Sequence, residues 1–152
     1  MPLSTIDQTG ITSPVGPLVL TGVTDGSNAA SGVVGEYIDS YVSSVTVNTT
    51  ATNLTSITLT AGDWDIYGNA QINGGTVGAS NMTMGISTTT ASFSGTNLAK
   101  SAANSSVVSA TATGGAVVRF RLNITSTTTY YLNASVNVAN AGYGYICARR
   151  MR

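Results

Sequence analysis

The chain has 152 residues, one cysteine, no histidine, and six acidic side chains balanced by six basic ones, for a formal net charge of zero. Lacking histidine, it cannot build Ser-His-Asp or Cys-His nucleophilic systems and forgoes the commonest metal ligand, while six cations balanced by six anions do not make the broad basic face that nucleic acid binding needs. Only 8% of residues are charged, and 24 threonines with abundant Ser, Asn, Ala and Gly give a polar, uncharged surface; the 42% apolar content still suffices for a one-domain core.

Residues 1–32 hold all three prolines, Pro2, Pro14 and Pro17, with several glycines. Proline removes backbone donors and glycine loosens the chain, so an extended N-terminal arm is expected in place of a sheet strand. Ile6, Ile11, Val15, Leu18, Val19 and Leu20 are too apolar for a free tail, and point to an arm that orders against a neighbouring subunit or shell.

From residue 33 the apolar period is two, the signature of half-buried antiparallel strands. Tyr37–Val47 and Leu54–Thr60 are expected strands. In the next, Trp64, Ile66, Gly68, Ala70 and Ile72 share one face, opposite Asp63, Asp65, Tyr67, Asn69 and Gln71. Met82–Ser87 follows. Residues 88–114, rich in Thr, Ser, Ala and Gly, are expected to form a long surface loop with at most one strand near Phe93. In the strand over 116–125, Val118, Phe120, Leu122 and Ile124 alternate with Val117, Arg119, Arg121 and Asn123. Over 130–138, Tyr130, Leu132, Ala134, Val136 and Val138 alternate with Tyr131, Asn133, Ser135 and Asn137. The last strand, Tyr143–Arg149, runs into its charge, with Gly144, Ile146, Ala148 and Arg150 opposite Tyr143, Tyr145, Cys147 and Arg149. Turns are expected at Ala61-Gly62-Asp63, Asn73-Gly74-Gly75, Thr113-Gly114-Gly115 and Ala141-Gly142. Seven or eight short strands without a helical segment predict an all-β, antiparallel two-sheet sandwich over 33–152, jelly-roll-like, behind the 1–32 arm.

Candidate chemistry is sparse. Asp63 and Asp65 share a strand face at roughly 6.5 Å spacing, within reach of acid-base or cation work. A pair on one strand cannot flank a bond from both sides, so both are expected to be ordinary turn and strand aspartates. Cys147, beside Ile146, reads as packing. The segment "GGTVGAS" at 74–80 lacks the lysine and spacing of a phosphate loop. Six Asn-x-Ser/Thr triplets, at Asn48, Asn53, Asn81, Asn104, Asn123 and Asn133, are expected by chance in so Asn- and Thr-rich a chain. No catalytic, metal or cofactor residues are assigned, and no enzyme activity is expected. With no basic-then-apolar leader and no run of about 18 apolar residues, neither secretion nor a membrane span is expected.

The segments "GVVGEYIDS", "LTSITLTAGDWDIYGNA" and "TTTYYLNASVNVANAGYGYICARRMR" resemble a group of small tailed-bacteriophage virion proteins. In that group a "GEY" strand, an "LTAGDWDVSGN"-type hairpin and a closing "YGFIRARRVR"-type strand recur in this order. The resemblance covers roughly residues 30–152; Cys147 departs from the group's usual arginine or alanine. It implies a virion structural protein, and most directly a capsid decoration (cement) protein on the head surface, made in the host cytoplasm. Such a protein would bind the major capsid protein through its arm and form a homo-oligomer. A trimer is expected by analogy with trimeric jelly rolls of the tumour-necrosis-factor type, and a dimer is the alternative. The other function it implies is a tail-fibre or head-fibre tip that binds host glycans through Tyr67, Tyr131 and the 88–114 stretch.

Charge order adds a candidate contact. Every acid precedes every base in the chain, and half the bases fall in the last four positions. If the last strand closes the fold as the resemblance implies, Arg149 and Arg150 emerge at its rim. With Arg152 they are expected to clamp Glu36, Asp39, Asp63 and Asp65, within a subunit or between copies.

Overall fold

The computed structural model describes residues 6–7, 10–11, 25–73, 81–94, 99–104 and 113–152. All regular structure among them is β. Ten strands occur: β1 (Ile6–Asp7), β2 (Gly10–Ile11), β3 (Tyr37–Val47), β4 (Thr52–Leu59), β5 (Gly62–Ile72), β6 (Asn81–Ser87), β7 (Ala99–Asn104), β8 (Thr113–Ile124), β9 (Thr128–Val136) and β10 (Asn140–Arg150). β1 and β2 pair with each other, Ile6 opposite Ile11. The remaining eight form two antiparallel sheets of four, ordered β3-β10-β5-β8 and β4-β9-β6-β7.

The pairing is nested. Within that set the first strand pairs with the last (β3 with β10), the second with the next to last (β4 with β9), then β5 with β8 and β6 with β7. The two sheets enclose one core. Trp64, Ile66 and Ile72 of β5 and Ile146 of β10 pack in the same cluster as Leu54 and Leu59 of β4, Met82, Met84 and Ile86 of β6, and Tyr130 and Leu132 of β9.

The inward faces of β5 and β10 match the sequence expectation: Trp64, Ile66, Gly68, Ala70 and Ile72 are buried, as are Gly144, Ile146 and Ala148, while Asp63 and Cys147 on the opposite faces are buried too. In β8 the phase differs. Ile66 faces Phe120 but Gly68 faces Val117, so Val118 and Arg119 both lie opposite Tyr67. This bulge reverses the alternation, burying Val117 (2% exposed) and leaving Val118 outside at 76%. β9 ends at Val136, which leaves Val138 exposed.

Two expected turns are strands instead, and the 88–114 stretch is not a single loop. Gly114 and Gly115 pair with Gln71 and Ala70 inside β8. Gly142 lies inside β10, where a Cβ would stand 2.5 Å from Val47 Cγ2 and 3.0 Å from Ile72 Cδ1; glycine is there because the backbone runs against the core, not because the chain turns. Residues 99–104 form β7 at the edge of the second sheet, and no strand forms at Phe93. Of the Asn73-Gly74-Gly75 turn only Asn73 is described.

Residues 25–36 enter β3 through successive turns, with Gly26, Gly32 and Gly35 at positive φ. Of the arm residues, Ile6 lies in β1 and Ile11 in β2, which pair with each other where the sequence suggests no sheet strand. Val15, Leu18, Val19 and Leu20 lie outside the described residues.

Candidate functional site

Arg150 closes the end of the fold. Strand parity directs it inward with Ile146 and Ala148, and its side chain is 5% exposed, paired at 2.9 Å with a Glu36 side chain that is 7% exposed. Its Nη1 donates to the Ala61 carbonyl (2.8 Å), its Nη2 donates to Thr60 Oγ1 (2.5 Å), and its guanidinium lies 4.2 Å from the centre of the Trp64 ring. Gly62 makes the space: at φ 149° its ideal Cβ would fall 2.0 Å from Arg150 Nη1, so a side chain there would displace the guanidinium. Burial pushes the Glu36 carboxyl up, but the Gly32 amide, the Arg150 guanidinium and Ser31 outweigh it and hold the group below its usual value.

The same end roots the N-terminal segment. Gly35 N donates to the Arg150 carbonyl and Arg150 N to the Glu36 carbonyl, extending the β3–β10 ladder. Asn28 grips Tyr37 at both backbone groups, its Oδ1 accepting from Tyr37 N at 2.9 Å and its Nδ2 donating to the Tyr37 carbonyl.

A second ionic group lies outside, on the solvent face of β3-β10-β5-β8. Asp63 accepts from Arg121 Nε and Nη2 at 2.6 and 2.5 Å and from Arg152 Nε at 2.7 Å. Arg121 first and Arg152 second pull its carboxyl down to about 2. Asp65 takes Arg119 at 3.1 Å, and Arg119 lies 5.0 Å over the Tyr67 ring. Asp63, Asp65, Arg121, Met151 and Arg152 line an open hollow of about 310 Å³. A carboxylate this acidic and held by two guanidinium groups stays ionised, so Asp63 is not set up to donate a proton.

Next to these runs a tyrosine row. The hydroxyls of Tyr37 and Tyr145 hydrogen-bond each other, and the Tyr67 and Tyr145 rings meet edge-on at 6.3 Å. Burial, then the Cys147 and Tyr145 neighbours, push the Tyr37 hydroxyl up; Cys147 does the same for Tyr67. Cys147 is buried beneath them.

The expected clamp is therefore split. Arg150 with Glu36, and Arg152 with Asp63, are pairs within one chain. Arg150 does not emerge at a rim: residues 32–36 and Thr60–Gly62 cover it. Asp65 goes to Arg119, not to a terminal arginine, and among the described residues neither Asp39 nor Arg149 makes an ion pair within 4.0 Å. The sequence carried a signal for the missed partners: Asp63 and Asp65 match Arg121 and Arg119 in i, i+2 spacing, and Asp65 sits directly opposite Arg121. Tyr67 and Tyr131 do not share a site, since they project from the outer faces of different sheets.

One polar centre had no sequence signal. Asn133, fully buried on β9, donates to Ser87 Oγ and to the Thr89 and Ser92 carbonyls and accepts from Ala91 N at 2.9 Å, tying down the loop after β6. Its burial also removes the Asn133 triplet from the surface.

Among the described residues no group of three or more His, Cys, Asp or Glu is placed to hold a metal ion, and no helix is long and apolar enough to cross a membrane. Comparison with family models, with curated proteins and with solved structures finds no match to the chain.

Proposed function

We propose that the chain is a structural protein of a tailed-phage virion, a capsid decoration protein whose domain is a jelly roll and whose N-terminal arm crosses the head shell. The observation that carries this reading is the firm junction at residues 28–36, from which such an arm would extend. A segment that must bear load between a knob and a shell needs a firm junction. Here the junction is Asn28 on Tyr37, Gly35 on Arg150, and the buried Glu36–Arg150 pair inside the core.

Nested pairing supports the jelly-roll assignment. A long hairpin that pairs first strand with last and then wraps into two sheets gives the order β3-β10-β5-β8 against β4-β9-β6-β7. The resemblance of the "GEY", "GDWDIYGNA" and "YGYICARRMR" segments to phage virion proteins supports the setting. The proposal involves no catalysis and no cofactor. Its partners are the major capsid protein and further copies of the chain, with no role for nucleic acid or membrane.

Deleting residues 2–24 spares Asn28 and the root. The deletion variant is expected to keep its β circular dichroism and melting transition but to lose co-sedimentation with decoration-free capsids. Full co-sedimentation of that variant would refute the arm mechanism.

A further inference from the structure

Over their described side chains the two outer faces differ in charge. The outward, accessible positions of β9 and β6 are Thr129, Tyr131, Ser135, Asn81 and Thr83, with no charge. The face of β3-β10-β5-β8 carries Arg119, Arg121 and Arg149 with Asp39, Asp63 and Asp65. Its exposed apolar groups are Tyr41 at 65% and Val118 at 76%. Arginine and tyrosine beside exposed apolar groups are what protein contacts select, and what a surface merely kept in water does not need.

Two charges on this face stand out. Register sets Asp39 opposite Cys147 and Arg149 opposite Tyr37, so Asp39 and Arg149 occupy one diagonal of a four-residue square, about 7–8 Å apart. Both are exposed, and among the described residues both lack an ion pair while Asp63 and Asp65 are satisfied.

We infer that this face binds the same face of a second copy about a two-fold axis, with Arg149 of each chain meeting Asp39 of the other. An in-plane axis that bisects the Asp39–Arg149 diagonal exchanges the two positions, so each unpaired charge meets its opposite twice per contact. Tyr37 and Cys147, on the other diagonal, then lie close to the axis. The occupant is a second copy because the surplus charges are one of each sign on a single patch; a patch complementary to a different protein has no reason to be complementary to itself. The inference deepens the self-association in the proposed function and rests on it, while fixing a contact which that function leaves open.

Charge reversal tests it by sedimentation velocity, with melting curves to check that each variant is folded. The wild-type chain is expected at twice 15.4 kDa or an even multiple. Arg149→Asp and Asp39→Arg, each alone, are expected to weaken association at least about tenfold. The first variant presents acids at both positions and the second presents bases at both, so like chains repel and unlike chains attract. An equimolar mixture of the two single variants is therefore expected to re-form dimers, each made of one chain of either kind. A repair confined within one chain cannot produce that result. A wild-type trimer indifferent to both changes, or a mixture that stays dissociated, overturns this contact and leaves self-association standing; a monomeric wild type overturns both. Capsid co-sedimentation is read separately.

Discussion

Replacing Arg150 with methionine keeps most of the side chain's apolar volume but leaves Glu36 buried without its cation. Both partners are nearly inaccessible, at 5% and 7% side-chain exposure, and Arg150 also satisfies Thr60 and the Ala61 carbonyl and stacks on Trp64. Removing one member of a buried pair costs about 3–5 kcal/mol, because the survivor must stay charged out of water or take up a proton. Methionine packing against Trp64 offsets part of this. At about 2–4 °C per kcal/mol for a domain of this size, Tm is expected to fall by roughly 10 °C. Thr127→Met is the control: in the exposed turn between β8 and β9 and away from both ionic groups, it is expected within about 0.5 kcal/mol of wild type. Differential scanning calorimetry of both proteins gives the comparison. Adding Glu36→Leu to Arg150→Met is expected to recover part of the loss, since exchanging both members of a buried pair for apolar groups is often neutral. If Arg150→Met melts no lower than Thr127→Met, the buried pair does not hold the arm root to the core.

Three further outcomes follow from the packing. Gly142→Ala pushes a Cβ to 2.5 Å from Val47 and is expected to cost about 1–3 kcal/mol, while Gly114→Ala, whose nearest neighbour would be 3.4 Å away, is expected to be near neutral; denaturant melts separate the two. Asn133→Ala strips the loop over 88–94 of its anchor, and is expected to cost about 1–3 kcal/mol and to raise hydrogen exchange at Ala91 well above that of β9. The carboxyls of Asp63 and Glu36 are both held below their ordinary values of 3.8 and 4.5, Asp63 at about 2. Their stabilisation is therefore complete above the ordinary carboxylate range and is lost as pH falls through 4 toward 2. Asp63→Asn should flatten that acid slope in a Tm-against-pH series; an unchanged slope contradicts the Arg121–Asp63–Arg152 assignment.

Strand parity was legible in the sequence wherever the ladder is regular. The alternation of Trp64 to Ile72 and of Gly144 to Arg150 placed the core-facing set, including the inward direction of Arg150. It did not show depth, because whether the end of a strand is covered depends on what crosses it. Residues 32–36 and Gly62 are remote from Arg150 in sequence and bury it. Local irregularity was hidden for a related reason: the bulge at Val118 and Arg119 is a property of a pair of strands, and β8 read alone keeps a false phase. Gly114, Gly115 and Gly142 looked like turns since glycine serves equally for a turn and for backbone pressed against a neighbour. β7, "AKSAAN", lacks the large β-branched residues that mark a strand. The ion pairs were half visible. Charge order predicted that late arginines meet early acids, but Arg119 and Arg121 took Asp65 and Asp63 before the terminal arginines could claim both.

The proposed function puts the chain on a phage head, held there by its arm. A cryo-EM reconstruction of the virions that incorporate the chain addresses it most directly. Eight-stranded density is expected on the outer surface of the head, with its Glu36–Arg150 end toward the shell and residues N-terminal to Asn28 running over capsid subunits. Density for this domain only at a fibre tip, or a head surface without it, would contradict the claim.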